Sequence, residues 1–260
     1  MSLATGEFVG LMAIFFIIAL LYSSVGFGGG SSYLAILALV LTSFFVIRST
    51  ALLCNLAVVS GSCYLYFQRG HLQLKKFLPF VVTSVPMAFL GASFRLKENV
   101  FFIILGISLI ASAIALAMQT IQLKTDFEPK RYPSYLLYLL GGGIGLLSGL
   151  VGIGGGIFLA PVLNYLKWDR PLVIAALASF FILVNSVSGL TGLALAGTFE
   201  WFWPEIGILL AVVIIGGQIG VRLSLGQFSA KTIRLITALL VFVVGVRVLL
   251  DNGWQLNVFR

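Results

Sequence analysis

The chain has 260 residues, 60% of them hydrophobic and only 9% charged, with a mean hydropathy of +1.12. A soluble domain is about one-quarter charged, so this composition excludes a fold whose solvent is water. The net charge of +8 comes from basic residues scattered through short loops, a pattern that orientation in a bilayer explains better than a nucleic-acid partner does, and no nucleic acid is expected.

The first apolar segment, 8–25, follows no basic run and is longer than a signal-peptide core, so it reads as a retained membrane helix. It leads into SSVGFGGGSS, where Gly26, Gly28, Gly29 and Gly30 precede a second segment, 31–47. Arg48 separates this from a third, 49–67, which begins at Ser49 and carries Asn55, Cys54 and Cys63. The two cysteines read as small packing residues rather than a disulfide or a metal pair. A loop with Arg69, His71, Lys75 and Lys76 leads to segments 77–94 and 99–118. QTIQLKTDFEPKRYPS, 119–134, is the only long polar stretch and reads as a linker. Five further segments follow: 134–151, 157–167, 171–196, 203–221 and 232–250. Nine of the sixteen residues from Gly141 to Gly156 are glycine, although each Gly in a helix interior costs about 1 kcal/mol against Ala. Bilayer-spanning segments must be helical, because no water is present to satisfy free backbone groups.

The halves read as copies. SSVGFGGGSSYLAILALV (23–40) aligns with GLVGIGGGIFLAPVLNYL (149–166), and STALLCN (49–55) with SFFILVN (179–185). FQRGHLQ then matches LAGTFEW, and FLGASF matches IGGQIG, in the same order. The expected division is a first membrane repeat at 1–118, the linker at 119–134 and a second repeat at 135–260. With the linker in the cytoplasm, eleven of the sixteen basic residues fall inside, and Arg48, Arg95, Lys97, Arg247 and Arg260 fall outside; this agrees with the positive-inside rule. About five segments per copy, an odd number, gives inverted topology. The expected fold is therefore an all-α polytopic membrane protein of two inverted repeats with Gly-rich breaks.

Each break exposes backbone N–H groups beside the positive end of the following helix, a place suited to an anion. The segments around it form either hairpins that dip to the midplane or full crossings; the short 157–167 segment favours a dipping hairpin in the second copy. The bland alternative is close helix packing at small residues, the better account of Gly141, Gly145 and Gly149, spaced four apart. All eight acids (Glu7, Glu98, Asp126, Glu128, Asp169, Glu200, Glu205 and Asp251) fall at segment ends or in loops. Without paired carboxylates, an HExxH run or a Cys/His cluster, no catalytic or metal residues and no cofactor are assigned. The spans instead carry neutral donors: Ser31, Ser32, Ser49, Asn55, Ser179, Asn185 and Gln218. Together with Gly28, Gly29, Gly30, Gly154, Gly155 and Gly156 they form the candidate substrate site. Arg48 either attracts or gates an anion or snorkels to the headgroups.

The chain resembles the TauE/SafE sulfite exporter family over nearly its whole length. The second copy carries the resemblance in GLLSGLVGIGGGIFLAPVL, ASFFILVNSVSG, GTFEW and GGQIGVRLS; the first copy has Ala35 where the second has Pro161. The resemblance implies a secondary transporter of sulfur oxyanions or organosulfonates in the bacterial cytoplasmic membrane, with sulfite export as the leading assignment. The partners expected are a small inorganic or organosulfur anion and the lipid bilayer. A transporter of another small anion such as a carboxylate, and a membrane accessory protein without flux, are the alternatives.

Overall fold

The computed structural model describes residues 5–40, 43–94, 96–122, 129–200, 205–224 and 230–253. Among them lie ten α-helices and no strand: α1 (Thr5–Ser23), α2 (Gly30–Val40), α3 (Phe44–Gln68), α4 (Leu74–Ser93), α5 (Glu98–Gln122), α6 (Ser134–Val151), α7 (Gly156–Tyr165), α8 (Pro171–Leu195), α9 (Glu205–Ser224) and α10 (Ala230–Gly253). Seven of them (α1, α3, α4, α5, α6, α8 and α9) are long and apolar enough to cross a membrane. Helices α2 and α7, at 11 and 10 residues, reach only about half of a 30 Å hydrocarbon core. The chain is an all-α, multi-pass membrane protein.

The ten helices fall on the ten apolar segments, with two shifts. The second and third segments do not divide at Arg48. Helix α2 ends at Val40 and α3 begins at Phe44 after an extended Ser43 (φ −82°, ψ 110°), so Arg48 lies one turn inside α3. The arginine does not mark a membrane boundary because its head group is held internally by a carbonyl. Helix α5 also runs four residues past 118, into the expected linker. The rest of that linker includes 123–128, outside the described residues, as is Trp201 of GTFEW.

Glycine acts in two distinct ways. In the breaks it supplies left-handed backbone: φ is +85° at Gly26, +88° at Gly29, +73° at Gly152, +84° at Gly154 and +83° at Gly155, a region that other L-residues rarely enter. In α6 it permits contact. A Cβ on Gly141, Gly145 or Gly149 would run into the backbone of Phe80, Ser84 or Ala88 respectively, so α4 and α6 pack backbone to backbone at spacing four. Gly216 and Gly220 of α9 meet the backbone of Phe16 and Leu20 of α1 in the same way.

In both pairs residue numbers rise together, so α4 runs parallel to α6, and α1 to α9. The central pair is antiparallel, with Leu52 of α3 beside Gly189 of α8 and Asn55 beside Ser186. Helices α5 and α10 are antiparallel too, with Gly106 against Leu249 and Leu109 against Gly245. The remaining contacts fall into matched sets: α2 with α3 and α7 with α8, α3 with α9 and α8 with α4, α5 with α7 and α10 with α2. Exchanging α1–α5 with α6–α10 in chain order turns each of these contacting pairs into another contacting pair. The buried core runs through the centre around α3, α8 and the two breaks, with Tyr33, Leu34, Cys54, Leu159, Ile174 and Phe181 all buried.

Candidate functional site

The two Gly-rich breaks meet against the middle of α3. Asn55 joins them. Its Oδ1 accepts from Gly30 N–H in the first break (3.2 Å), and its Nδ2 donates to the Ile153 carbonyl in the second (2.7 Å), with a longer contact to Ser186 Oγ (3.4 Å). The fit needs glycine on both sides. A Cβ on Gly28 would overlap Asn55 Oδ1, and one on Gly154 would lie 2.7 Å from Asn55 Nδ2 and 2.6 Å from Ile182 Cγ2. Gly155 faces Phe181 and Ser148, Gly156 faces Ile182 and the Ala178 carbonyl, and Gly29 faces Tyr33 and Ile18.

Ser179, on α8, donates to the Gly26 carbonyl (3.0 Å) and so holds the first break directly. Ser32 shares a hydrogen bond with Tyr22 (2.5 Å). Ser49 is buried and accepts from the backbone N–H of Glu200 (3.3 Å), in the connection between α8 and α9. Gln218 is not brought to the breaks. It lies over Gly61 of α3, six residues or about 9 Å along the helix from Asn55.

Four predicted residues are thus absorbed by the protein itself: Asn55, Ser32, Ser49 and Ser179. Others are not. Asn185 is 1% exposed, and neither of its amide atoms has a partner within the protein. Ser31 Oγ is also buried and unpartnered, as are Ser23 Oγ, Tyr33 Oη, Thr50 Oγ1, Ser148 Oγ and Arg48 Nε. Several of these flank a break in sequence or space: Ser23 and Ser31 the first, Ser148 and Arg48 the second. An unmet polar group is costly in a membrane protein's interior, so a collection of them marks a place for polar company. The reading of the sequence missed Ser186, Ser148, Tyr22 and Tyr33. Ser148 and Ser186 were visible as hydroxyls beside Gly149 and Asn185.

Arg48 is 2% exposed and does not snorkel. Its Nη2 donates to the carbonyl of Gly149 in the last turn of α6, its stem lies along Gly152, and its guanidinium carbon sits 5.9 Å from the Phe101 ring centre. Among the described residues no carboxylate pairs with it; the ion pair in this part of the chain, Lys76 with Asp169 at 2.7 Å, joins the start of α4 to the α7–α8 turn. No group of three or more His, Cys, Asp or Glu among those residues is placed to hold a metal. A groove of about 760 Å³ between α4 and α8 is lined by Val85, Phe89, Leu183 and Val187 and is almost wholly apolar. Its two hydroxyls, Ser188 and Thr191, are given to the Val85 and Val187 carbonyls, so it offers an anion little.

The TauE/SafE sulfite exporter family model matches residues 11–248. The chain belongs to that family. Relatives include the probable membrane transporter protein y4hK of Sinorhizobium fredii, 34% identical over 94% of this chain and 98% of its own length. The probable membrane transporter protein YunE of Bacillus subtilis is 25% identical over 95% of this chain and 98% of its own. A third, the probable membrane transporter protein MJ0441 of Methanocaldococcus jannaschii, is 31% identical over 56% of this chain and 55% of its own. No solved structure matches at a significant level. Family and relatives together support reading this TauE/SafE chain as a membrane transporter.

Proposed function

We propose that the chain is a secondary transporter that moves small sulfur-containing anions, sulfite foremost, out across the bacterial cytoplasmic membrane. In this reading it consists of two inverted copies, 1–118 and 135–260, joined by a cytoplasmic linker at 119–134. The anion binds where the two Gly-rich breaks converge, within reach of their N–H groups and of Asn185. The observation that carries the reading is the convergence itself. Two helix starts, at Gly30 and Gly156, converge on the same stretch of buried, donor-rich interior, and both present positive dipole ends there.

Two further observations support it. Counterpart helices α3 and α8, and α5 and α10, run antiparallel, the relation that a two-fold axis lying in the membrane plane produces. Among the described residues, the fully buried polar residues of the long helices are hydroxyls, amides and Arg48; the Glu205 carboxylate, one oxygen of which is buried, stands at the first turn of α9, and buried Asp169 lies in a turn and is held by Lys76. That balance favours an anion over a cation, which would call for acids within the spans. Sulfite as the particular anion comes from the family.

The test is flux of radiolabelled sulfite from liposomes holding the purified protein, with thiosulfate, sulfoacetate, phosphate and acetate as competitors. Competition by the sulfur anions and not by phosphate or acetate is the expected result. Equal competition by phosphate or acetate refutes the sulfur assignment, and absence of any anion flux refutes transport of this class.

A further inference from the structure

We propose that the transported anion is the missing counter-charge of Arg48, so that the protein holds one anion in a single asymmetric site beside the second break. The inference rests on the anion-transport reading and deepens it, by naming the residue that supplies the charge.

A guanidinium stays charged at any physiological pH and carries five N–H donors in a planar fork. Arg48 is 2% exposed, on a membrane-spanning helix, with one donor given to the Gly149 carbonyl and Nε–H unpartnered. The end of α6 provides about half a negative charge, and the face of Phe101 a weak further attraction. Together these leave a net positive charge buried without an acid among the described residues. A buried cation of that kind is strongly unfavourable unless it is paired. The groups around it suit a small oxyanion. Nε lies over Gly152, where a Cβ would stand only 3.3 Å away. Ser148, next to the Gly149 carbonyl that Arg48 holds, has an unpartnered hydroxyl.

The asymmetry follows from the repeat. Pairing Ser49 with Ser179 places Ala178 opposite Arg48, so the other copy has a methyl group where this one has a cation. In the first break the space beside Gly26 is taken by Ala175, whose Cβ would be 2.7 Å from a Cβ on Gly26, and by the Ser179 hydrogen bond. The α8–α9 connection is fastened to the start of α3 on either side of Arg48, by Ser43 Oγ donating to Glu200 Oε2 (3.0 Å) and by Glu200 N–H donating to Ser49 Oγ. The Glu200 carboxylate is spent on Ser43 and does not pair with Arg48.

The experiment measures sulfite and thiosulfate binding by calorimetry on detergent-purified wild type, Arg48→Gln and Arg48→Lys. Arg170→Gln, on an exposed loop, controls for general charge. Charge-assisted hydrogen bonds are worth roughly tenfold to a hundredfold in affinity, so Arg48→Gln should weaken binding by that factor. Arg48→Lys should fall between, and Arg170→Gln should match wild type. Arg48→Gln should also unfold no earlier than wild type without anion, since it removes an unpaired charge; a merely structural arginine would do the reverse. Wild-type affinity in Arg48→Gln overturns the proposal. If that variant does not fold, protection of Arg48 by sulfite against phenylglyoxal, read by peptide mass spectrometry on wild type, decides instead; no protection overturns the proposal. If acetate or phosphate binds with the same dependence on Arg48 and sulfur anions do not, the arginine site stands and the sulfur reading falls.

Discussion

Asn55 and Asn185 are matched by the repeat read in the sequence, yet their removal should have opposite signatures. Asn55→Ala strips Gly30 N–H and the Ile153 carbonyl of their partner. Each unmet buried group costs about 1–3 kcal/mol, so the loss is about 2–6 kcal/mol and the melting temperature falls on the order of 10 °C. Asn185→Ala breaks no hydrogen bond within the protein, so stability without anion should change by less than about 1 kcal/mol. What it should lose is the response to ligand. An anion at a hundredfold excess over its Kd stabilises the protein that binds it by about 2.7 kcal/mol, and Asn185→Ala should forfeit most of that increment. The assay is thermal unfolding of detergent-purified protein, each variant with and without saturating sulfite. Equal melting losses for the two variants without anion would refute the division of roles. So would a full sulfite response in Asn185→Ala.

Three other outcomes are expected. In a background lacking Cys54 and Cys63, cysteines at Lys75 and at Glu200, both exposed, should be labelled by an impermeant reagent from opposite sides of the membrane; labelling from one side sinks the inverted arrangement. Gly145→Ala pushes a methyl group into the Ser84 backbone and should destabilise by about 1–3 kcal/mol, whereas Gly143→Ala, with open space around it, should stabilise by up to about 1 kcal/mol; thermal unfolding compares the two. Gly155→Leu forces a branched side chain into φ +83° against Phe181 and Ser148 and should abolish sulfite flux in protein that still inserts, as judged by membrane fractionation and liposome assay.

Much of the architecture was legible because hydropathy and glycine placement are local. The number of helices, the two breaks and the contact role of Gly141, Gly145 and Gly149 all follow from short windows. The pairing of helices was less so. A span that is apolar on every side carries little periodic signal of which face meets protein, and only Gly141, Gly145 and Gly149 of α6 hinted at a close helix contact. The site was half legible. Repeat register selected Asn55 and Asn185 together, but register cannot tell a side chain that ties two loops from one left unpartnered; that depends on where Ile153 and Gly30 come to rest. Arg48 was misplaced at a segment boundary because a charge in an oily stretch reads as an edge until its carbonyl partner, a hundred and one residues away, is known.

The exchanged pairing of α1 with α9 and α4 with α6 has a consequence for how the protein is made. Neither half contains the partner for its own outer helix: α4 waits for α6, and α1 waits for α9, nearly two hundred residues later in the chain. The first half therefore leaves the ribosome with the contact faces of both α1 and α4 bare. Until α6 and α9 insert, those faces are covered by lipid, and the Asn55 amide lacks its Ile153 carbonyl. Assembly is then a late, concerted event in the bilayer rather than the docking of two finished units. The two halves expressed as separate chains should recover function only when both are present in the same membrane, each acting as the template on which the other closes.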